Sequence, residues 1–441
     1  MLYYFKFIIF LLIFYSNSLY SQNLNIVRDA EIENFFNDLS FPIIQSSKIK
    51  NTKISFYLDN QNYINAFVVS GPKIFITTEL LVKTNSIDQI AGVIAHEIGH
   101  ITGGHLSKRY NAYGDSIFTS VISSILAVGA IAAGAPSAGS AILMGGEHIR
   151  QQQILSFSRN QESFADQAAI NLLKKSNYSV KGLYEVFEIL EKKERFSKIN
   201  PYNRTHPLSI ERKRVIENHI DINNETKSNI ELNERYKLIK AKLIGYTAKK
   251  EIFHIYYPDN KNTIESWYAK SVHYYLNGDI QKALMYIDKC IKSNKENPYF
   301  YELKGQILYE NGKSLSAISN YQEALKYKSN EKHFYLAISK AIYAQKDTEL
   351  YDEGISFLKK YIEEEDFPIE AWHYLGLYYG KMGKYTLSSL ALTEKFLLLN
   401  DIKNAKLQLQ KAKKKDTINR KYSAKINDLN HLINQKEKMN Q

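Results

Sequence analysis

The sequence predicts a mainly α chain in two parts, a compact α+β domain followed by an α-helical solenoid. Three observations predict it. A helix-like run with H-E-x-x-H spacing occupies Ile90 to His105, two β-rich runs precede it between residues 53 and 82, and a 34-residue repeat of Trp, Gly, Ala and aromatic positions begins at Trp267. The chain has 441 residues, more than one core usually holds, so at least two domains are expected.

From the N-terminus, Lys6 precedes an apolar run from Phe7 to Tyr15, and small residues follow at Ser16, Ser18 and Ser21. That pattern reads as a secretory signal peptide over residues 1–21, since the apolar run is shorter than the roughly 20 residues a membrane span needs. One cysteine, Cys290, cannot form an intramolecular disulfide. The formal charge of +12 suggests no nucleic-acid partner, because residues 402 to 441 hold 11 Lys and Arg against 3 Asp and Glu, so the excess is largely a solvated tail.

Residues 53 to 82 read as a strand, KISFYLD, and a hairpin, INAFVVSGPKIFITTELL, turning at Ser70 to Lys73. Ser86 and Gln89 then form a capping box ahead of Ile90, Val93, Ile94 and Ile98, which sets a buried helix under the motif. On that helix His96 and His100 differ by about 40° in azimuth and about 6 Å in rise, so both imidazoles can hold one ion. Glu97 follows the first histidine and can reach a water beside it. These are the parts of a zinc hydrolase, with a zincin-type α+β metalloprotease domain around them.

The third ligand has two candidates. His105 arrives one residue too early for the three-histidine pattern that Gly103 suggests. The stretch QESFADQ offers Glu162, with Asp166 four residues later on the same helix face. In that arrangement Glu162 completes the zinc shell and Asp166 accepts a hydrogen bond from a ligand histidine, fixing its tautomer. Between the histidines and Glu162, Ser116 to Gly146 holds no charged residue and reads as a packed lid, an interfacial hairpin or a membrane span.

Four motifs in one order, the NAFVVSGPKIFIT hairpin, the HEIGH helix, the E-x-x-A-D helix and Thr205-His206-Pro207, resemble metallopeptidase family forty-eight, the CAAX prenyl protease and HtpX type. The resemblance spans roughly residues 60 to 215. It departs from the family at Phe164, where a second glutamate is usual, and at Gly71-Pro72 in place of two glycines. It implies an endopeptidase with one Zn2+ on His96, His100 and Glu162, and Glu97 as general base. It further implies that Asn65, Ala66 and Phe67 line the substrate cleft. His206 is implied to face the zinc, either helping an oxyanion or capping the metal as a fourth ligand that keeps the site latent. Arg212 is a substrate-side candidate in the same stretch.

Residues 226–262 turn polar and read as linker or bridging helices. The repeat then pairs Trp267 with Tyr301, Gly278 with Gly312, Ala283 with Ala317, Ile287 with Tyr321 and Cys290 with Ala324. A third unit near Tyr335 to Tyr361 is degenerate, and a fourth is clear in Trp372, Leu375, Gly376, Tyr379 and Gly383. This is the tetratricopeptide signature, placing a repeat domain at 263–415 after a metalloprotease domain at 22–225. Residues 416–441 form a basic amphipathic helix, with Ile418, Tyr422, Ile426, Leu429 and Ile433 on one face, that caps the array or touches a membrane surface.

Signal peptide and repeats together are similar to the periplasmic branch of the family that attends outer-membrane protein assembly. The resemblance then implies a periplasmic protease for unfolded outer-membrane proteins, with the repeats holding clients or assembly machinery. Two other readings stay open, a chaperone or scaffold whose proteolysis is secondary or lost, and an integral membrane peptidase of the same chemistry.

Overall fold

The computed structural model describes residues 25–69, 72–105, 159–196, 206–221, 229–415 and 421–439. The expected signal segment, the uncharged stretch Ser116 to Gly146, the Ser70-Gly71 turn, Thr205 and Ile418 lie outside them. Among the described residues no helix is long and apolar enough to cross a membrane.

Strands β1 (Ile26–Val27), β2 (Ser55–Asp59), β3 (Ala66–Val69) and β4 (Lys73–Thr77) form one sheet in the order β1-β2-β4-β3. Strands β2 and β4 are parallel, while β3 and β4 pair antiparallel, Ala66 opposite Ile76 and Phe67 opposite Phe75. Period-two alternation decides the faces. Phe56, Leu58, Ala66, Val68, Ile74 and Ile76 enter the main core, whereas Tyr57, Phe67, Val69 and Phe75 form a second apolar layer that Phe367 of the solenoid covers. Burial on both faces explains why β4 reads as a nearly continuous apolar run.

Helices α1 (Ala30–Gln45), α2 (Thr78–Lys83), α3 (Ile87–Thr102), α4 (Arg159–Lys175), α5 (Val180–Phe196) and α6 (Ile210–Glu217) complete the domain. α3 lies at its centre, buried from Ile87 through His100, with α1, β3, α4 and α5 around it. Close approach needs glycine at one point on α3. A Cβ on Gly99 would lie 2.8 Å from the Ala165 carbonyl oxygen, so the Gly of HEIGH and the Ala of E-x-x-A-D are packed back to back.

Helix α7 (Ile230–Thr247) bridges the two parts. Its Leu232, Tyr236, Ile239 and Leu243 enter the domain core, and Leu238 enters the first apolar cluster of the repeats. The Tyr236 hydroxyl donates to the carbonyls of Leu81 and Thr84 at 2.7 and 2.8 Å, which ties α7 to the end of α2.

After α8 (Lys250–Tyr256), helices α9 (Ile264–Leu276), α10 (Ile280–Ser293), α11 (Pro298–Glu310), α12 (Ser314–Tyr327), α13 (Lys332–Gln345), α14 (Tyr351–Glu364), α15 (Ile369–Lys381), α16 (Tyr385–Leu398) and α17 (Ile402–Lys415) stack in antiparallel pairs. This is the tetratricopeptide solenoid. Gly278, Gly312 and Gly383 end first helices at φ of 79°, 74° and 71°. The degenerate third unit keeps that geometry without the glycine, because Lys346, 34 residues after Gly312, stands at φ 63°. α18 (Ser423–Met439) closes the array, burying Ile426, Leu429 and Ile433 against Ala405, Leu409 and Ala412 of α17.

Candidate metal centre

The centre is built from the ends of three helices. Ser86 caps α3 by accepting from the Gln89 amide, and the Gln89 side chain answers by accepting from the Asn85 amide at 2.6 Å. α4 brings Glu162 in its first turn and Asp166 one turn later. The third segment is His206 to α6, whose cap Ser209 accepts from the Arg212 amide and turns Arg212 back beneath the cluster.

Four side chains converge, His96, His100, Glu162 and His206, with all their donor atoms within 4.8 Å of one another. His96 Nε2 lies 3.1 Å from His100 Nε2 and 3.4 Å from His206 Nδ1. Glu162 Oε1 is 3.3 Å from His100 Nε2 and 3.1 Å from His206 Nδ1, and its Oε2 is 3.4 Å from His96 Nε2. All four residues are at most 1% exposed.

Partners behind the cluster fix the rings. His96 Nδ1 lies 2.9 Å from Asp166 Oδ1, so its proton belongs on Nδ1 and the Nε2 lone pair points inward. His100 Nδ1 faces His105 Nδ1 at 3.0 Å, and with His100 as the donor its Nε2 is left as an inward lone pair. Lone pairs therefore meet lone pairs and a carboxylate, an arrangement that a cation reconciles. Bonds of 2.0–2.2 Å to a tetrahedral ion place its ligands roughly 3.3–3.5 Å apart, close to the separations found here. The two-nitrogen, one-carboxylate set with a further histidine fits a small divalent cation.

Charge behaves accordingly. Burial disfavours the Glu162 carboxylate, but the imidazoles of His206, His100 and His96 outweigh it and hold its pKa well below the usual carboxylate range. Burial opposes an imidazolium at His96, yet hydrogen bonds to Asp166 and Glu162 push its pKa up to about 10, so the inward Nε2 lone pair is the form that a cation takes in place of the Nε2 proton. His100 goes the other way, driven down by burial and by the neighbouring His96 and His206, with only Glu162 in its favour. Glu97 is fully buried, and that burial raises its pKa against the pull of His206 and His96. Neither of its carboxylate oxygens has a hydrogen-bond partner among the described residues, and Oε1 lies 3.5 Å from His206 Nε2.

Residues 27–220 match the model of Peptidase family M48. This stretch is an M48 peptidase domain. The chain is also 25% identical over 328 residues to a beta-barrel assembly-enhancing protease of Yersinia pestis, covering 72% of this chain and 66% of that protein. It is 28% identical over 223 residues to the protein of the same name from Escherichia coli (strain K12), covering 50% of this chain and 45% of the relative. A TPR repeat-containing protein of Methanocaldococcus jannaschii is 28% identical over 222 residues, with 49% of this chain and 37% of that one covered. The chain thus spans 66% of the first relative's length and less than half of the other two.

The M48 domain gathers His96, Glu97, His100, Glu162, Asp166 and His206 at one point. It sets Ala66 and Phe67 on the edge strand beside α3 and Asn65 just ahead of it, where Asn65 and Thr77 exchange hydrogen bonds, Thr77 N donating to the Asn65 carbonyl at 3.0 Å. By the antiparallel alternation the main-chain groups of Ala66 and Val68 then face away from β4. The Phe67 ring stacks on Phe75 at 5.3 Å on the sheet's other layer.

Arg212 calls for a correction. Expected on the substrate side, it is 6% exposed, donates to both oxygens of Asp166 at 2.6 and 2.8 Å, and lies 2.8 Å from Glu162 Oε2. The guanidinium is engaged beneath the ligands by these two carboxylates, which gives it a positioning place rather than the exposed one expected. His105 is the residue that spacing arguments set aside. The Gly103-Gly104 pair, with Gly104 at φ 62°, folds the chain back at the end of α3, and that turn is the signal that could have brought His105 to His100.

Proposed function

We propose that the chain is a zinc-dependent endopeptidase of the periplasm, acting on unfolded polypeptides during outer-membrane protein assembly. The observation that carries the reading is the convergence of His96, His100 and Glu162 on one point, with the Glu97 carboxylate alongside and without a hydrogen-bond partner among the described residues. A zinc ion held by those three residues supplies a Lewis acid that polarises the scissile carbonyl and acidifies the attacking water. Glu97 accepts that water's proton on a carboxylate oxygen and returns it to the leaving amine nitrogen, a role its buried, raised-pKa carboxyl suits. Asp166 keeps the His96 proton on Nδ1, and Arg212 keeps Asp166 and Glu162 in place.

Substrate pairs as an extended strand with the edge offered by Ala66 and Val68, so main-chain bonds give affinity with little sequence preference. His206 Nδ1, 3.1 Å from Glu162 Oε1, occupies the side of the cluster that a carbonyl must enter, and it acts as a latch that withdraws for turnover. The relatives named for beta-barrel assembly support the compartment and the clients, and the solenoid serves as the platform for clients or assembly partners. The closed position of His206 also favours a second reading, in which the chain chiefly holds clients and cuts few.

The test is cleavage of an unfolded β-rich polypeptide by the purified chain. Chelator-sensitive cleavage that rises in His206→Ala supports the protease with a latch. Binding without cleavage in either form shifts the reading to the scaffold.

A further inference from the structure

The solenoid and the M48 domain do not close completely on each other. Between them lies a cleft of about 350 Å3, bounded by Val27 and Leu58 on the domain side and by Leu276 and Leu303 of α9 and α11 on the other. That volume is in the range of ligand pockets, roughly 300–1,000 Å3. Its charged groups are unevenly paired. Lys242 Nζ lies 2.6 Å from Asp29 Oδ2 and 3.2 Å from Glu31 Oε2, and Arg28 is held by Glu33 and Glu365. Among the described residues, Glu302 alone of the cleft's charged side chains has no hydrogen bond or ion pair. Gln306, one turn further along α11, turns its amide to Glu310 at 3.0 Å and leaves Glu302 unanswered.

We infer that this cleft receives an arginine or lysine side chain of a polypeptide client, its alkyl stem against Leu58, Leu276 and Leu303 and its charged head on Glu302. Apolar walls leading to one carboxylate suit a side chain that buries a hydrocarbon stem behind a cationic head. Burial, with Asp29, Glu331 and Glu31 adding negative potential against the pull of Lys242, pushes the Glu302 carboxyl well above the usual range, and an entering cation would favour its ionised form. The position also suits a polypeptide. Leu58, Asn60 and Thr78 line the cleft at the sheet end where Asp59 pairs with Thr77 and Ala66 with Ile76, the end at which edge strand β3 begins. Val27 of β1 lines it as well, so the cleft lies towards the edge of the sheet opposite β3. The cleft touches both domains, so a client seated there is read by the solenoid while it lies beside the protease.

The inference rests on the polypeptide-substrate reading, and its test measures binding rather than cleavage, so the two can fail separately. In the full-length Glu97→Gln chain, fluorescence anisotropy compares an unstructured peptide carrying one arginine with the same peptide carrying neutral citrulline there. The arginine peptide is expected to bind about tenfold tighter or more, the scale of a hydrogen bond to a charged group. Glu302→Gln erases that difference. Gln306→Arg supplies a resident guanidinium four residues along the helix and erases it too, while the thermal melt stays native. Equal binding of the two peptides, or an arginine preference unchanged by Glu302→Gln, overturns the inference. Spermidine binding as tightly as the peptide, with the same dependence on Glu302, overturns the assignment to a polypeptide.

Discussion

Two charged clusters, one partly buried and one fully buried, anchor this molecule, and they are built on opposite principles. In the clasp between the M48 domain and the solenoid every anion meets a cation. Arg28 reaches Glu33 at 2.6 Å and Glu365 at 2.9 Å, Lys332 reaches Glu365 at 2.7 Å, and His333 reaches Glu33 at 3.0 Å. In the metal centre, lone pairs face lone pairs, His96 Nε2 to His100 Nε2 at 3.1 Å, and among the described residues the Glu97 oxygens have no hydrogen-bond donor. The clasp is complete as it stands and serves stability. The centre is complete only around a cation, and that difference marks it as the seat of chemistry.

The comparison breaks most visibly at Arg212, among the described residues the one strong cation under the ligands. Arg212→Met leaves Asp166 and Glu162 buried without it, and about 3–5 kcal/mol of stability is expected to go, read by urea unfolding of the metal-free chain. Zinc affinity is expected to fall 10–100-fold, read by competition with a chelator. Gly99→Ala comes next. Its methyl would lie 2.8 Å from the Ala165 carbonyl oxygen, forcing α4 outward at a cost of about 1–3 kcal/mol and carrying Glu162 off the histidines, which a drop in zinc affinity would register.

The clasp should respond to acid. Burial raises the Glu365 pKa, but Arg28 and Lys332 outweigh it and hold the carboxyl at about 2, below its usual 4.5. A depressed carboxylate contributes stability that is full above pH 4.5 and is lost as pH falls towards 2. On the order of 1–3 kcal/mol is involved, because Arg28 is still a quarter exposed. Unfolding free energies measured across that window should slope less in Glu365→Gln than in the parent. The smallest effect belongs to the third repeat. Lys346→Gly relieves a left-handed residue at φ 63° and should add about 0.5–1 kcal/mol, whereas Gly312→Ala at φ 74° should remove a similar amount. Paired thermal melts of the two variants read both signs.

The two clusters also differ in how far the sequence reveals them. His96, Glu97 and His100 stand in one helical turn, and Glu162 and Asp166 in another, so local spacing exposes five members of the centre. Arg28 and Glu365 are 337 positions apart, and no periodicity announces a pair of that kind. The repeats were legible for the same reason as the centre, because Gly278 and Gly312 mark a fixed period that Lys346 continues without the glycine. Arg212 was misread because a charged residue after a His-Pro turn gives no sign that Ser209 caps the next helix and folds the guanidinium inward. The stretch that holds α7 reads as a linker or bridging helices, and its polar character leaves open how deeply Tyr236 enters the domain core, where it is 1% exposed and stacks on Phe35.

Zinc stoichiometry and cleavage, measured side by side for the parent chain and Glu97→Gln, test the central claim most directly. The account predicts one zinc per chain in both, with cleavage of an unfolded polypeptide lower in the variant by about 10²–10⁴-fold, the usual worth of a positioned acid-base group. A zinc-loaded Glu97→Gln chain that cuts as well as its parent would contradict it, as would a folded parent that binds no zinc.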